Sequence, residues 1–177
     1  MGKEDASLRG SCVEALDNID LPCPFSIEAF CSQLEKQRNR PLLLHPMPDG
    51  LRFSEVCGVW VATEDEDYIF YESQTSRVHQ EHIILHEIGH VLFGHGVQGG
   101  DESHALSEGM EALLPDLFPH NISRFFGRTN YTTRQEREAE MLASLIGVRA
   151  RRLRGYQASE PLTRLGSAFG LGLRHGD

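Results

Sequence analysis

The sequence predicts a single small α+β domain in which a short antiparallel sheet packs against two helices. Three observations lead there. β-prone segments cluster between residues 42 and 72, an apolar stretch of helical character follows at about 78–94, and a second amphipathic stretch runs from Thr132 to about Arg154. The 177 residues, 40% hydrophobic and 24% charged, suffice for one core.

Residues 1–24 lack periodicity and contain Pro22 and Pro24, so they are expected to form a loosely held arm with one short helix around Cys12–Leu16. Ser26 is a good N-cap, and Ile27, Phe30, Cys31 and Leu34 share one face of a helix reaching about Arg38. Strands are expected at Leu42–His45, Val56–Ala62 and Tyr68–Glu72, with the acidic run Glu64-Asp65-Glu66-Asp67 as a hairpin loop between the last two. The helix at 78–94 closes at Gly94 and Gly96, residues suited to a left-handed cap. A polar loop, Gly96–Ser103, precedes an expected helix near Leu106–Leu114, and a short helical turn is expected at Ile122–Phe126. Thr132 with Gln135 makes a capping box for the last helix, whose buried face carries Ala139, Leu142, Ala143 and Ile146. The division is an arm over 1–24, a folded domain over 25–155 and a tail over 156–177, partly helical or disordered.

Within the helix at 78–94 stands His86-Glu87-Ile88-Gly89-His90, an H-E-x-x-H sequence flanked by Ile83-Ile84-Leu85 and Val91-Leu92-Phe93. Residues four apart lie on one helical face, so His86 and His90 can share a metal ion while Glu87, one step round, reaches a water on that ion. Imidazole nitrogen binds Zn²⁺ at about 2.0–2.1 Å, the ion lowers the pKa of its water towards about 7, and an adjacent carboxylate takes the proton as the water attacks a carbonyl. The apolar flanks imply a buried helix, and buried polar groups need partners; a shared metal provides them in one step. Gly89 costs about 1 kcal/mol of helix propensity relative to Ala, which implies close approach by a neighbouring strand or helix.

Two imidazoles and a water leave one protein ligand to find. The metzincin pattern requires Gly seven and His ten residues after the first ligand, where this chain has Phe93 and Gly96. His95 is one residue early and is expected to be a solvated or capping His at the helix end. A carboxylate from the second helix is the other common solution, and Glu136, Glu138 and Glu140 are the candidates. Glu136 and Glu140 share a face, so spacing alone does not choose between them.

The pair HEIGHxLFGH and E-x-E-A-x-x-x-A-x-L resembles the ImmA/IrrE family of metallo-endopeptidases in order and spacing, over roughly Pro41 to Arg152. The resemblance implies a zincin-like domain holding zinc, with Mn²⁺ as the alternative. It matches His86 and His90 to the metal-binding pair, Glu87 to the catalytic Glu, and Glu136 to the third ligand of a gluzincin-like site. Glu140 departs from the family's usual Asn or Asp. The resemblance further implies a sheet edge beside the metal for an extended peptide and, as substrate, a cytoplasmic protein partner, typically a helix-turn-helix repressor. The oxyanion donor is open by type among Tyr131, His104 and His120.

The net charge of −9 argues against direct nucleic-acid binding, and Arg149, Arg151, Arg152 and Arg154 are read as a solvated, dipole-complementing helix end. No run approaches the roughly 18 apolar residues of a membrane span. The charged start, Met1 to Asp5, lacks an apolar signal region, so a cytoplasmic location is expected. Cys12, Cys23, Cys31 and Cys57 show no C-x-x-C spacing and are read as reduced thiols rather than ligands. Two competing functions are a non-catalytic zinc-containing regulator that binds a DNA-binding partner, and the toxin of a toxin–antitoxin pair. Glu87 speaks against the regulator, because a purely structural zinc site needs four protein ligands and no general base.

Overall fold

The computed structural model describes residues 3–48, 57–63, 65–95, 124–126 and 131–158. The first helix, α1 (Lys3–Asp17), corrects the expectation of a loosely held arm. Leu8, Cys12 and Leu16 recur once per turn as a narrow buried stripe, too thin to register as periodicity beside the exposed residues around it. The Cys12 thiol donates to the Glu138 carbonyl at 3.6 Å, fastening α1 to the last helix.

Helix α2 (Ile27–Arg38) starts as expected, with the Ser26 hydroxyl accepting from the Ala29 N–H at 3.1 Å, and it buries Ile27, Phe30, Cys31 and Leu34. Asn39 ends it in the left-handed region at φ 50°. Strands β1 (Leu42–Pro46), β2 (Gly58–Ala62) and β3 (Asp67–Tyr71) follow. β2 and β3 form the expected antiparallel hairpin, its acidic loop closed by the Thr63 N–H donating to the Glu66 carbonyl at 2.9 Å.

Two sheet expectations are corrected. The sheet is mixed rather than antiparallel, because β1 pairs with β3 in parallel, Leu42 opposite Asp67 and Pro46 opposite Tyr71. Residues 47–57 exceed the roughly two to five of a hairpin loop, so β2 need not lie beside β1, and β3 takes that edge instead. Residues 124–126, expected in a helical turn, form β4 (Arg124–Phe126), antiparallel to β2. The outer edge of β2 offers N–H and C=O groups that a β-prone Arg-Phe-Phe segment satisfies. The strand order is β1-β3-β2-β4.

Helix α3 (Arg77–Phe93) begins with Ser76 accepting from the His79 N–H at 3.3 Å and ends at Gly94, φ 64°. It packs on β2 and β3 and, on its other side, on α4 (Thr133–Ala158). The capping box of α4 is present in both directions: Thr132 N–H to Gln135 Oε1 at 2.9 Å, Gln135 N–H to Thr132 Oγ1 at 3.3 Å. The core joins Phe30, Leu34, Ile69, Ile88, Leu142 and Ile146 from α2, β3, α3 and α4, each contributing about 1.5–3 kcal/mol of burial. The basic end of α4 is only partly solvated, because Arg154 pairs with Glu81 at 2.9 Å and lies over the Phe25 ring. Among the described residues no helix is long and apolar enough to cross a membrane. The helix expected near Leu106–Leu114, together with His104, His120 and the tail beyond Ala158, lies outside the described residues.

Candidate metal centre

The centre is made possible by a missing side chain. A Cβ on Gly89 would stand 2.9 Å from the Cα of Ala139 and 3.1 Å from its carbonyl oxygen, so only glycine lets α3 and α4 approach this closely. The close approach anticipated for Gly89 is therefore a helix crossing. His86 and His90 on α3 are brought against Glu136 on α4, with the ligand atoms of all three within 4.8 Å of one another. His86 Nε2 is 3.1 Å from His90 Nε2 and 3.4 Å from Glu136 Oε2, while Glu136 Oε1 is 3.9 Å from His90 Nε2. Ligands about 2.0–2.1 Å from a tetrahedral ion stand about 3.4 Å apart, so the three side chains fit one cation.

The chemistry of the donor set points the same way. His86 Nδ1 faces Glu140 Oε2 at 3.5 Å, and that oxygen also meets His82 Nε2 at 3.1 Å. A carboxylate can only accept, so a neutral His86 with its hydrogen on Nδ1 would turn its Nε2 lone pair to His90 and Glu136. Lone pairs gathered at such distances repel one another unless a cation lies between them.

The three candidate carboxylates thus separate. Glu136 faces both imidazoles, Glu140 sits behind His86, and Glu138 turns to His95, whose Nε2 is 3.2 Å from Glu138 Oε2. His95 is not the solvated residue expected from helical spacing: its Nδ1 lies 2.9 Å from His90 Nδ1, and its side chain is 5% exposed. The left-handed turn at Gly94 ends the helix and folds the next residue back onto it, so a helical projection puts His95 on the wrong side. Burial holds the His95 imidazole below its usual pKa against the opposing pull of Glu138.

Glu87 is buried one step round the helix, where it meets the sheet. A Cβ on Gly58 of β2 would lie 2.7 Å from Glu87 Oε1 and 2.6 Å from Ile83 Cγ2, so this glycine gives the carboxylate its room. Tyr131 lies flat on the His90 ring, centroids 3.7 Å apart and planes 10° from parallel. Burial, reinforced by Glu87 and Glu136, pushes its phenol pKa upward and keeps the O–H protonated. A cavity of about 460 Å³ opens beside His86 and Glu136, walled by Leu8 of α1 and by Thr133, Arg137 and Met141 of α4. The four cysteines are free thiols; burial pushes Cys12 up to about 11 and Cys31 up to about 12. Comparison with protein-family models, with curated proteins and with solved structures returned no match, so the functional reading stands on the geometry of this centre.

Proposed function

We propose that this chain is a metal-dependent endopeptidase, with His86, His90 and Glu136 as ligands of one zinc ion and Glu87 as general base. The observation that carries this reading is the convergence of two imidazoles and one carboxylate beside a second, non-ligating carboxylate, the donor set of catalytic rather than structural zinc sites. Two nitrogens and one oxygen favour Zn²⁺ over Mn²⁺, which prefers oxygen ligands. When bound, the ion supplies Lewis acidity towards a carbonyl and an acidified water.

The protein's own groups do the rest. Glu87, held against Gly58, accepts the proton of the attacking water on its carboxylate and returns it to the departing amine. Tyr131, stacked on the His90 ring and kept protonated, is the described residue of the three candidate donors that stands beside the centre. An extended peptide added as a strand at the sheet edge beside the metal, as the resemblance implies, would align its main chain over Glu87. The substrate class, a cytoplasmic helix-turn-helix repressor, rests on the resemblance of the two helical motifs.

The test is metal content and proteolysis of purified wild type and Glu87→Gln, with a candidate repressor partner as substrate. About one zinc per chain in both, with cleavage slowed about 10²–10⁴-fold in Glu87→Gln, is expected. Bound zinc with an intact partner favours the non-catalytic regulator, and a protein that binds no zinc overturns the proposal.

A further inference from the structure

Hydrogen-bond polarity runs from the surface of α4 into the metal centre along one chain of contacts. Arg134 Nε donates to Glu138 Oε1 at 3.0 Å, Glu138 Oε2 meets His95 Nε2 at 3.2 Å, and His95 Nδ1 meets His90 Nδ1 at 2.9 Å. Only one assignment satisfies every step with neutral rings. The carboxylate accepts, so His95 carries its hydrogen on Nε2; its bare Nδ1 must then accept, so His90 carries its hydrogen on Nδ1 and donates. The His90 Nε2 lone pair is left facing His86 Nε2 and Glu136.

The geometry points to His95 and Glu138 as positioning residues that hold His90 in the tautomer and orientation a metal requires. The inference rests on the metal-centre reading above and adds to it a two-residue relay where a ligand His ordinarily has one carboxylate or carbonyl partner. The relay is itself held. The Gln135 amide donates to the His95 carbonyl at 3.3 Å, and the His95 ring stacks on Phe93 at 5.3 Å, 11° from parallel. Gly94, at φ 64°, makes the turn that brings the two imidazoles together. On His86 the carboxylate of Glu140 faces Nδ1 directly.

The experiment is zinc affinity of the full chain by competition with a chromophoric chelator, for wild type, Glu138→Gln and His95→Phe, with long-range ¹H–¹⁵N spectra of the His90 ring in the metal-free proteins. Glu138→Gln keeps the shape but places an amide that can donate to His95, so the polarity is no longer enforced. Zinc affinity is expected to fall about 10–100-fold in both variants. The metal-free His90 ring is expected to move from the Nδ1–H form in wild type to a mixture in Glu138→Gln, a signature that loss of packing alone does not produce. His95→Phe retains the stack on Phe93; if it fails to fold, Glu138→Gln decides alone. Wild type that binds zinc while Glu138→Gln matches it in affinity and tautomer overturns the relay only. Wild type that binds no zinc overturns the metal centre and the relay with it.

Discussion

The fold buries two polar clusters, and they are built on opposite principles. At Asp67, which is 1% exposed, one carboxylate meets Arg38 Nη2 at 2.8 Å, Arg40 Nε at 3.0 Å and the Trp60 indole N–H at 3.1 Å. Arg40 goes on to donate to the carbonyls of Thr63 and Glu66. Cations face a carboxylate here, and the cluster ties the end of α2 to the hairpin, although Asp67 Oδ2 meets the guanidinium groups as ion pairs without a hydrogen bond of its own and Arg38 Nη1 has no hydrogen-bond partner among the described residues. At His86, His90 and Glu136 two imidazoles and a carboxylate converge instead, with ligand atoms within 4.8 Å of one another, a spacing compatible with one cation. Opposite charges paired across elements make the first cluster architecture, and like donor atoms converging on one point make the second a candidate site.

The largest effects should separate the two. Asp67→Ala leaves two guanidinium groups facing a buried void and is expected to cost about 3–5 kcal/mol in urea unfolding, with zinc affinity unchanged. His86→Ala is expected to change the metal-free stability by less than about 1 kcal/mol, because it relieves as much repulsion as it loses packing. What it should abolish is stabilisation by zinc, worth about 2.7 kcal/mol when the ion is at 100 times its dissociation constant. A metal-free loss in His86→Ala as large as that in Asp67→Ala would erase the distinction.

Two glycines allow a finer cut. Gly89→Ala drives a methyl group into the backbone of Ala139, and separating α3 from α4 should cost about 1–3 kcal/mol together with zinc affinity. Gly58→Ala presses instead on Glu87 Oε1 and Ile83 Cγ2. Zinc should remain bound while peptide cleavage falls on the order of 10–100-fold, since a base displaced by about 1 Å loses its alignment. If Gly58→Ala releases zinc, the proposed roles of Glu87 and of the His86–His90–Glu136 cluster are not separable as drawn.

Much of this was legible before the structure, and the boundary is physical. His86, Glu87 and His90 follow from a four-residue period on one helix, and Ser26, Thr132 with Gln135, and Gly94 follow from local backbone needs. The crossing at Gly89 was legible as a requirement for close approach, though not which element supplied it. What stayed hidden depends on three-dimensional placement. Choosing among Glu136, Glu138 and Glu140 requires the crossing angle of two helices, and the role of His95 requires a turn that leaves the helical projection. The parallel pairing of β1 with β3 depends on the path of a long connection, and β4 on an edge left open by distant residues.

The smallest effect puts the same charged partners in water. Arg137 on α4 pairs with Asp5 on α1, chemically the equal of Arg38 with Asp67, yet both side chains are nearly half exposed. Arg137→Ala should therefore shift unfolding by no more than about 0.5 kcal/mol, since solvent already screens the pair. Leu8→Ala, on α1 with Asp5 and 2% exposed, should cost about 2–3 kcal/mol, because the buried stripe and not the ion pair holds α1 in place. Both residues wall the cavity beside His86 and Glu136, so the two variants also separate what holds that wall from what merely lines it. An Arg137→Ala loss approaching that of Asp67→Ala would mean that burial is not what makes the Asp67 cluster structural.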